Sequence, residues 1–159
     1  MHPNVARVAE AARAAGLEIE TTRFPEGTRT ADDAARAIGC SVAQIVKSLV
    51  FVADGTPFVA LVSGANRVDL RLLAAVLGAA EVRRASGDEA REATGFAIGG
   101  VPPFGHATTP DLLVDRDLLE HDIVWAAAGL PDAVFPITPA DLLRASAGRV
   151  ADLAERSGS

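Results

Sequence analysis

Apolar residues recur at two spacings along the chain. In residues 3–15, Val5, Val8, Ala9 and Ala12 fall at helical spacing, and Gly16 is a fitting stop. Residues 17–24 alternate loosely and hold the β-branched Ile19, Thr21 and Thr22, which predicts a strand broken by Pro25, Glu26 and Gly27. Thr30-x-x-Asp33 resembles a capping box with Asp in place of the usual Glu or Gln, and opens a helix over 31–38 that Gly39 ends. Ser41-x-x-Gln44 is a second box, opening a short turn of helix that delivers the chain to Lys47.

Residues 45–64, IVKSLVFVADGTPFVALVSG, read as a β-hairpin. The first arm is apolar on both faces, Leu49, Phe51 and Ala53 against Val50 and Val52, so it belongs inside a sheet. Asp54–Gly55 is a tight-turn pair. As a two-residue turn it sets Ala53 opposite Thr56 and Lys47 opposite Val62, beside the loop Ser63, Gly64, Ala65 and Asn66.

Asp69 caps a helix over 70–77 that Gly78 ends, and 81–84 is a short strand. Ser86-x-x-Glu89 is a third capping box, for a helix ending at Gly95. Strands are expected at 111–114, 123–127 and 133–137, with a polar turn of helix over 115–121. Thr138–Pro139 starts a last helix that ends near Gly148. Hairpin and crossover connections are mixed, which argues against a regular βαβ series. The expected fold is α/β (α+β): one mixed central sheet, curled and barrel-like, with helices outside.

At 159 residues the chain is expected to form a single domain over 1–159. Its net charge of −6 argues against extensive nonspecific nucleic-acid binding, but leaves room for a local contact with one nucleic-acid end. Aromatic content of 4% with no Tyr argues against a stacking platform for long single strands. One cysteine, Cys40, permits no internal disulfide. No apolar run approaches membrane-spanning length, and the first residues lack the apolar core of a secretory signal, so the expected location is cytoplasmic.

Two stretches stand out chemically. Lys47 is a cation in an apolar strand: either its head reaches out to water, or it is fixed at a pocket wall to hold a phosphate or polarise a carbonyl. The segment Gly99, Gly100, Val101, Pro102, Pro103, Phe104, Gly105 cannot be helical. It is either a structural turn or a stiff loop that grips a small polar group through its main chain. The two stretches are expected to form one pocket. His2, His106 and His121 have no metal-ligand spacing with each other or with Cys40, and only His106 adjoins the loop. Ser63 has no identifiable general base beside it. Asp32, Asp33, Asp88 and Glu89 read as helix-start residues. No metal and no cofactor are expected.

Together these blocks resemble the YbaK/ProX family, aminoacyl-tRNA deacylase domains related to the editing insertion of bacterial prolyl-tRNA synthetase. The blocks that carry the resemblance are GCSVAQIVKSLVF, VSGANRVD, GGVPPFGH, VDRDLL and TPADLL, in that order. The resemblance implies hydrolysis of mischarged tRNA, commonly tRNA-Pro carrying a small residue such as Ala, 2-aminobutyrate, Ser or Cys. It assigns Lys47 to binding and orienting the aminoacyl end. It assigns the main chain of Gly99, Gly100, Val101, Pro102 and Pro103 to holding the ester, with Ser63, Gly64, Phe104 and His106 as further substrate contacts. It implies no protein nucleophile: a substrate hydroxyl or thiol assists cleavage. The implied partners are the acceptor end of mischarged tRNA and prolyl-tRNA synthetase. Relatives acting on Cys-tRNA carry Ser where this chain has Pro102, and a polar Ser–Gly–Gly stretch where it has Trp125, Ala126, Ala127, Ala128 and Gly129. The expected substrate therefore bears a small aliphatic side chain. The competing readings are a non-catalytic module that binds tRNA or a synthetase, and a small-metabolite binding protein.

Overall fold

The computed structural model describes residues 1–24 and 30–156. The expected strand break at Pro25, Glu26 and Gly27 lies outside the described residues.

The hairpin forms in the expected register. Asp54 and Gly55 both take positive φ, 48° and 84°, as a tight two-residue turn requires. Strand β2 (Val46–Ala53) therefore pairs antiparallel with β3 (Thr56–Ser63), Ala53 opposite Thr56 and Lys47 opposite Val62. The carboxylate of Asp54 accepts from the N–H groups of Ala80 and Glu81, at 2.9 and 2.8 Å, and so ties the turn to the start of β4 (Val82–Arg84).

Capping chemistry sets the helices. Helix α1 (Pro3–Ala14) follows His2, and α2 (Ala31–Ile38) starts where Thr30 Oγ1 accepts from Asp33 N. Helix α3 (Leu70–Leu77) is capped by Asp69, and α4 (Gly87–Thr94) by the Ser86/Glu89 box. Helix α5 (Pro139–Ser146) is capped by Thr138. Short 3-10 turns span Val42–Gln44 and Arg116–Glu120.

The strands fall into two open sheets. One has the order β4-β2-β3-β5-β8, with β5 (Asp111–Asp115) parallel to β3 and β8 (Arg149–Ala151) parallel to β5. The other has the order β1-β7-β6, from β1 (Thr22–Arg23), β7 (Ala133–Ile137) and β6 (Val124–Ala127). The mixed α+β class is as expected, but the single barrel-like sheet is corrected. Closure would need the edge strands β4 and β8 to meet, and the interior strands β2, β3 and β5 separate them. The expected strand over 17–24 shrinks to β1, which finds a partner in β7 for only two residues. Leu17 and Ile19 pack on the core without a ladder.

Both faces of the five-stranded sheet are covered. Val46, Val50, Val52, Val59 and Leu61 face α1, α5 and the second sheet, against Val8, Leu142 and Phe135. Phe51, Phe58, Val62 and Leu113 face Leu73 of α3 and Leu153, with the two phenyl rings stacked at 5.4 Å. This is why the first hairpin arm is apolar on both sides. Strand β4 pairs with β2 only over residues 51–53. At the other end of β2, Ile45, just before the strand, makes an isolated parallel bridge to Trp125 of the second sheet. The free stretch of edge between those two contacts opens the main cleft.

Candidate functional site

That cleft is a pocket of about 290 Å³. Its walls include Lys47, Ser48, Arg84, Gly99, Val101 and Trp125, so the hairpin and the Gly/Pro loop do meet at one site. Most of the remaining wall is aliphatic, from Ala31 and Ala34 of α2 and from Val50, Ala126 and Val134.

Lys47 is the only lysine of the chain; the other members of its fifteen Lys and Arg residues are all Arg. It is half-buried, and its Nζ donates to the main-chain oxygen of Asn66 at 2.6 Å. Burial pushes its pKa below the ordinary lysine value. The Arg84 guanidinium pushes the same way, Asp115 opposes it, and Arg67 adds a smaller downward push. A second, shallower depression on the α3 side is also lined by Lys47, Arg67 and Arg84, so the ammonium stands between the apolar pocket and a basic surface.

A buried carboxylate holds the loop that holds Lys47. Asp115 is fully buried; its Oδ2 accepts from Ser63 N at 3.1 Å and from Asn66 Nδ2 at 2.8 Å. Its Oδ1 accepts from Asp117 N at 3.0 Å. Asn66 Nδ2 also donates to Asp117 at 2.8 Å, and Arg156 pairs with Asp117 at 2.9 Å. The Arg156 and Asn66 hydrogen bonds hold the Asp117 pKa below the usual carboxylate range.

The other expected site residues divide between wall and support. Gly99 (φ 92°) and Val101 line the pocket. Gly100 is buried behind them and donates to Ala97 O at 3.0 Å; a Cβ there would sit 2.9 Å from Gly129 O, so only glycine fits. Pro102, Pro103 and Phe104 are buried, with Phe104 against Phe135 at 5.7 Å. His106 Nε2 lies 2.7 Å from Pro102 O; a carbonyl only accepts, so Nε2 carries the proton. Burial lowers the pKa of His106, and its bond to Pro102 opposes that shift. Ser63 Oγ donates to Ala43 O at 2.8 Å, and Gly64 N to Ile45 O at 2.7 Å. These residues fasten the pocket's frame and do not line it.

Sequence reasoning did not single out Ser48, Arg84 or Asp115. The Ser48 hydroxyl is buried and has no hydrogen-bond partner among the described residues. The pocket lining carries no carboxylate, imidazole or thiol among the described residues.

A family model described as "aminoacyl-tRNA editing domain" matches residues 25–145. The chain is 33% identical over 134 residues to the uncharacterized protein YwhH of Bacillus subtilis, covering 84% of this chain and 85% of that one. It is 34% identical over 115 residues to the proline–tRNA ligase of Citrifermentans bemidjiense, covering 69% of this chain but only 20% of the ligase. The fold superposes with a TM-score of 0.93 on a solved structure described as a candidate trans-editing enzyme for prolyl tRNA synthetase. That structure is 46% identical, with 98% of this chain and 99% of the other covered.

Proposed function

This chain belongs to the aminoacyl-tRNA editing domain family, and on that premise we propose that it hydrolyses the ester of mischarged tRNA, tRNA-Pro carrying a small aliphatic amino acid. The observation that carries the reading is the shared pocket: the cations Lys47 and Arg84, with Gly99 and Val101 of the Gly/Pro loop, border a small and mostly apolar cavity. The cavity suits a short side chain, and the cations at its rim suit the negative charge of a nucleic-acid end.

In the reaction, water adds to the ester carbonyl carbon. The bond to the ribose oxygen breaks, and that oxygen leaves with a proton, giving free amino acid and uncharged tRNA. Lys47 orients the aminoacyl end and offers positive charge where the carbonyl oxygen becomes anionic. Asn66 fixes the direction of its ammonium. The pocket wall carries no carboxylate, imidazole or thiol among the described residues, and in this reading the neighbouring hydroxyl of the terminal ribose positions the water. Holding ester and hydroxyl together is itself a large rate effect. Prolyl-tRNA synthetase supplies affinity for the rest of the tRNA in this reading, which suits a net charge of −6.

The test offers tRNA-Pro charged with Ala, 2-aminobutyrate, Ser, Cys or Pro, with and without prolyl-tRNA synthetase. Selective loss of a mischarged species supports the proposal, and no loss of any species removes it.

A further inference from the structure

The second depression, about 270 Å³ on the α3 side, plays no part in the ester chemistry. Lys47, Leu49 and Arg84 line both it and the main pocket, so the two cavities meet across those side chains. Its charge is unlike that of the chain. Three cations, Lys47, Arg67 and Arg84, stand around it against one carboxylate, Glu155, in a protein of net charge −6.

The fold aims those cations. Lys47, Leu49 and Phe51 alternate onto one face of β2, and Phe51 belongs to the core on the α3 side. Arg84 lies opposite Phe51 in the β2–β4 ladder and so shares that face. Its guanidinium sits 5.5 Å from the centre of the Phe51 ring. Arg67 comes from the loop between β3 and α3, which the C-terminal segment holds in place. Val68 bridges Ala154, and Glu155 N donates to Arg67 O at 2.7 Å. The charges are poorly neutralised. Arg67 reaches Glu155 only at 3.9 Å, between two exposed side chains, and such a pair is weak. Arg84 and Arg67 both push the Lys47 pKa down, so the three cations repel one another. An anion relieves that repulsion.

We propose that the second depression is the subsite for the 5′-phosphate of the terminal nucleotide, held by Arg67 and Arg84, while the aminoacyl group of the same nucleotide fills the main pocket. This rests on the deacylase reading above. An aminoacylated nucleotide carries its acyl group and its phosphate at opposite ends of one ribose. A site for it needs an apolar cavity and an anion site side by side, with a cation for the ester where they join. Lys47 stands at that junction. Arg67 lines the second depression and not the main pocket, so it serves the phosphate and not the acyl group. A guanidinium suits the task because its fork of N–H groups matches a phosphate's oxygens. The subsite adds affinity for any nucleotide end and carries no sequence information.

The test uses 3′-amino-3′-deoxyadenosine carrying alanine through an amide, which resists hydrolysis, with and without a 5′-phosphate. Binding of both is measured calorimetrically, over a range of chloride concentrations, to the wild type, Arg67→Gln, Arg67→Lys and Arg84→Gln. The wild type is expected to prefer the phosphorylated compound by about tenfold, the scale of one hydrogen bond to a charged group. That preference is expected to shrink as salt rises. Arg67→Gln and Arg84→Gln are expected to lose most of it, and Arg67→Lys to keep most of it. Inorganic phosphate is expected to displace the phosphorylated compound no better than chloride at equal ionic strength. A wild type without the preference, an Arg67→Gln protein that keeps it, or an equal loss for both compounds overturns the proposal. Specific displacement by inorganic phosphate also overturns it, because the depression would then take a free anion. Wild-type deacylation is run beside it. If alanyl-tRNA-Pro is hydrolysed and the phosphate preference is unaffected by Arg67→Gln, this inference alone fails. If the wild type neither hydrolyses a charged tRNA nor binds either compound, both fail.

Discussion

The ammonium of Lys47 donates to the main-chain oxygen of Asn66 at 2.6 Å, and the side chain of that same asparagine is held by buried Asp115. The cation at the pocket rim is therefore oriented by a carboxylate it does not touch. Asp115→Ala should leave Ser63 N without its acceptor, at a cost of ~1–3 kcal/mol for a buried group left unpaired, while Asn66 Nδ2 keeps only its bond to Asp117. Denaturant midpoints check this, with Asp115→Asn, which keeps one accepting oxygen, expected to lose less. Deacylation should fall in both variants, since the Asn66 loop loses its anchor.

Lys47 should titrate below the ordinary lysine value of 10.5, because burial and Arg84 both disfavour its charge. As pH rises the folded state releases this proton before the unfolded state does. Its contribution is thus an unfavourable one at low pH, relieved as pH rises from the lowered folded pKa to 10.5. Any step that needs the ammonium declines at a lower pH than an ordinary lysine would allow. Because the chain has one lysine, 15N-lysine labelling gives a single side-chain signal to follow. Arg84→Gln should move the titration upward; an unmoved or lower value would count against the coupling.

Gly100→Ala should destabilise the Gly/Pro loop by ~1–3 kcal/mol, the range for forcing extra volume into a packed site. The added Cβ would meet Gly129 O at 2.9 Å and Leu130 Cα at 3.0 Å, both main-chain atoms that cannot step aside cheaply. Thermal unfolding reads the loss of stability. Activity should fall too, since Gly99 and Val101 ride on that approach.

Trp125→Ala removes the largest side chain on the pocket wall. The variant should accept larger aminoacyl groups, relaxing discrimination roughly tenfold, the scale of about one methylene in an apolar pocket. Competition between alanyl- and valyl-tRNA-Pro measures the shift. Unchanged selectivity would place the side-chain pocket elsewhere.

Glu89 should titrate at about 2, held down first by Arg83, which it meets through two bonds of 2.8 Å, and then by Ser86 N. Its folded pKa is depressed, so the stability it adds is full above the ordinary 4.5 and is lost as pH falls through about 2. Unfolding midpoints between those values should fall more steeply in wild type than in Glu89→Gln. The pair matters to the site because Arg83 precedes Arg84 on β4.

Local chemistry was legible in the sequence. Asp54–Gly55 set the hairpin register to the residue, and so placed Lys47 opposite Val62. Asp69, Ser86 and Thr138 announced their helices because a cap is made within three residues. What could not be read was non-local. Alternation assigns faces, but it does not say whether strands share a sheet, so one curled sheet was expected where two open sheets form. Strand β8 is three residues long and has its partner in β5, far back in the chain. Ser48 reads as an ordinary strand residue until it is known that β4 stops at Arg84 and leaves the edge open. Asp115 reads in the sequence only as part of the polar turn over 115–121, and it does accept from Asp117 N, but its other oxygen reaches the distant Ser63 N.

The central claim, that Lys47 and the Gly/Pro loop border a deacylating pocket, is tested most directly by a time course on alanyl-tRNA-Pro and prolyl-tRNA-Pro with wild type and Lys47→Ala. Wild type is expected to hydrolyse the alanyl ester and spare the prolyl ester. Lys47→Ala is expected to fold normally and hydrolyse neither. Equal hydrolysis of alanyl-tRNA-Pro by wild type and by Lys47→Ala would contradict it, since the cation at the rim would then have no part in the reaction.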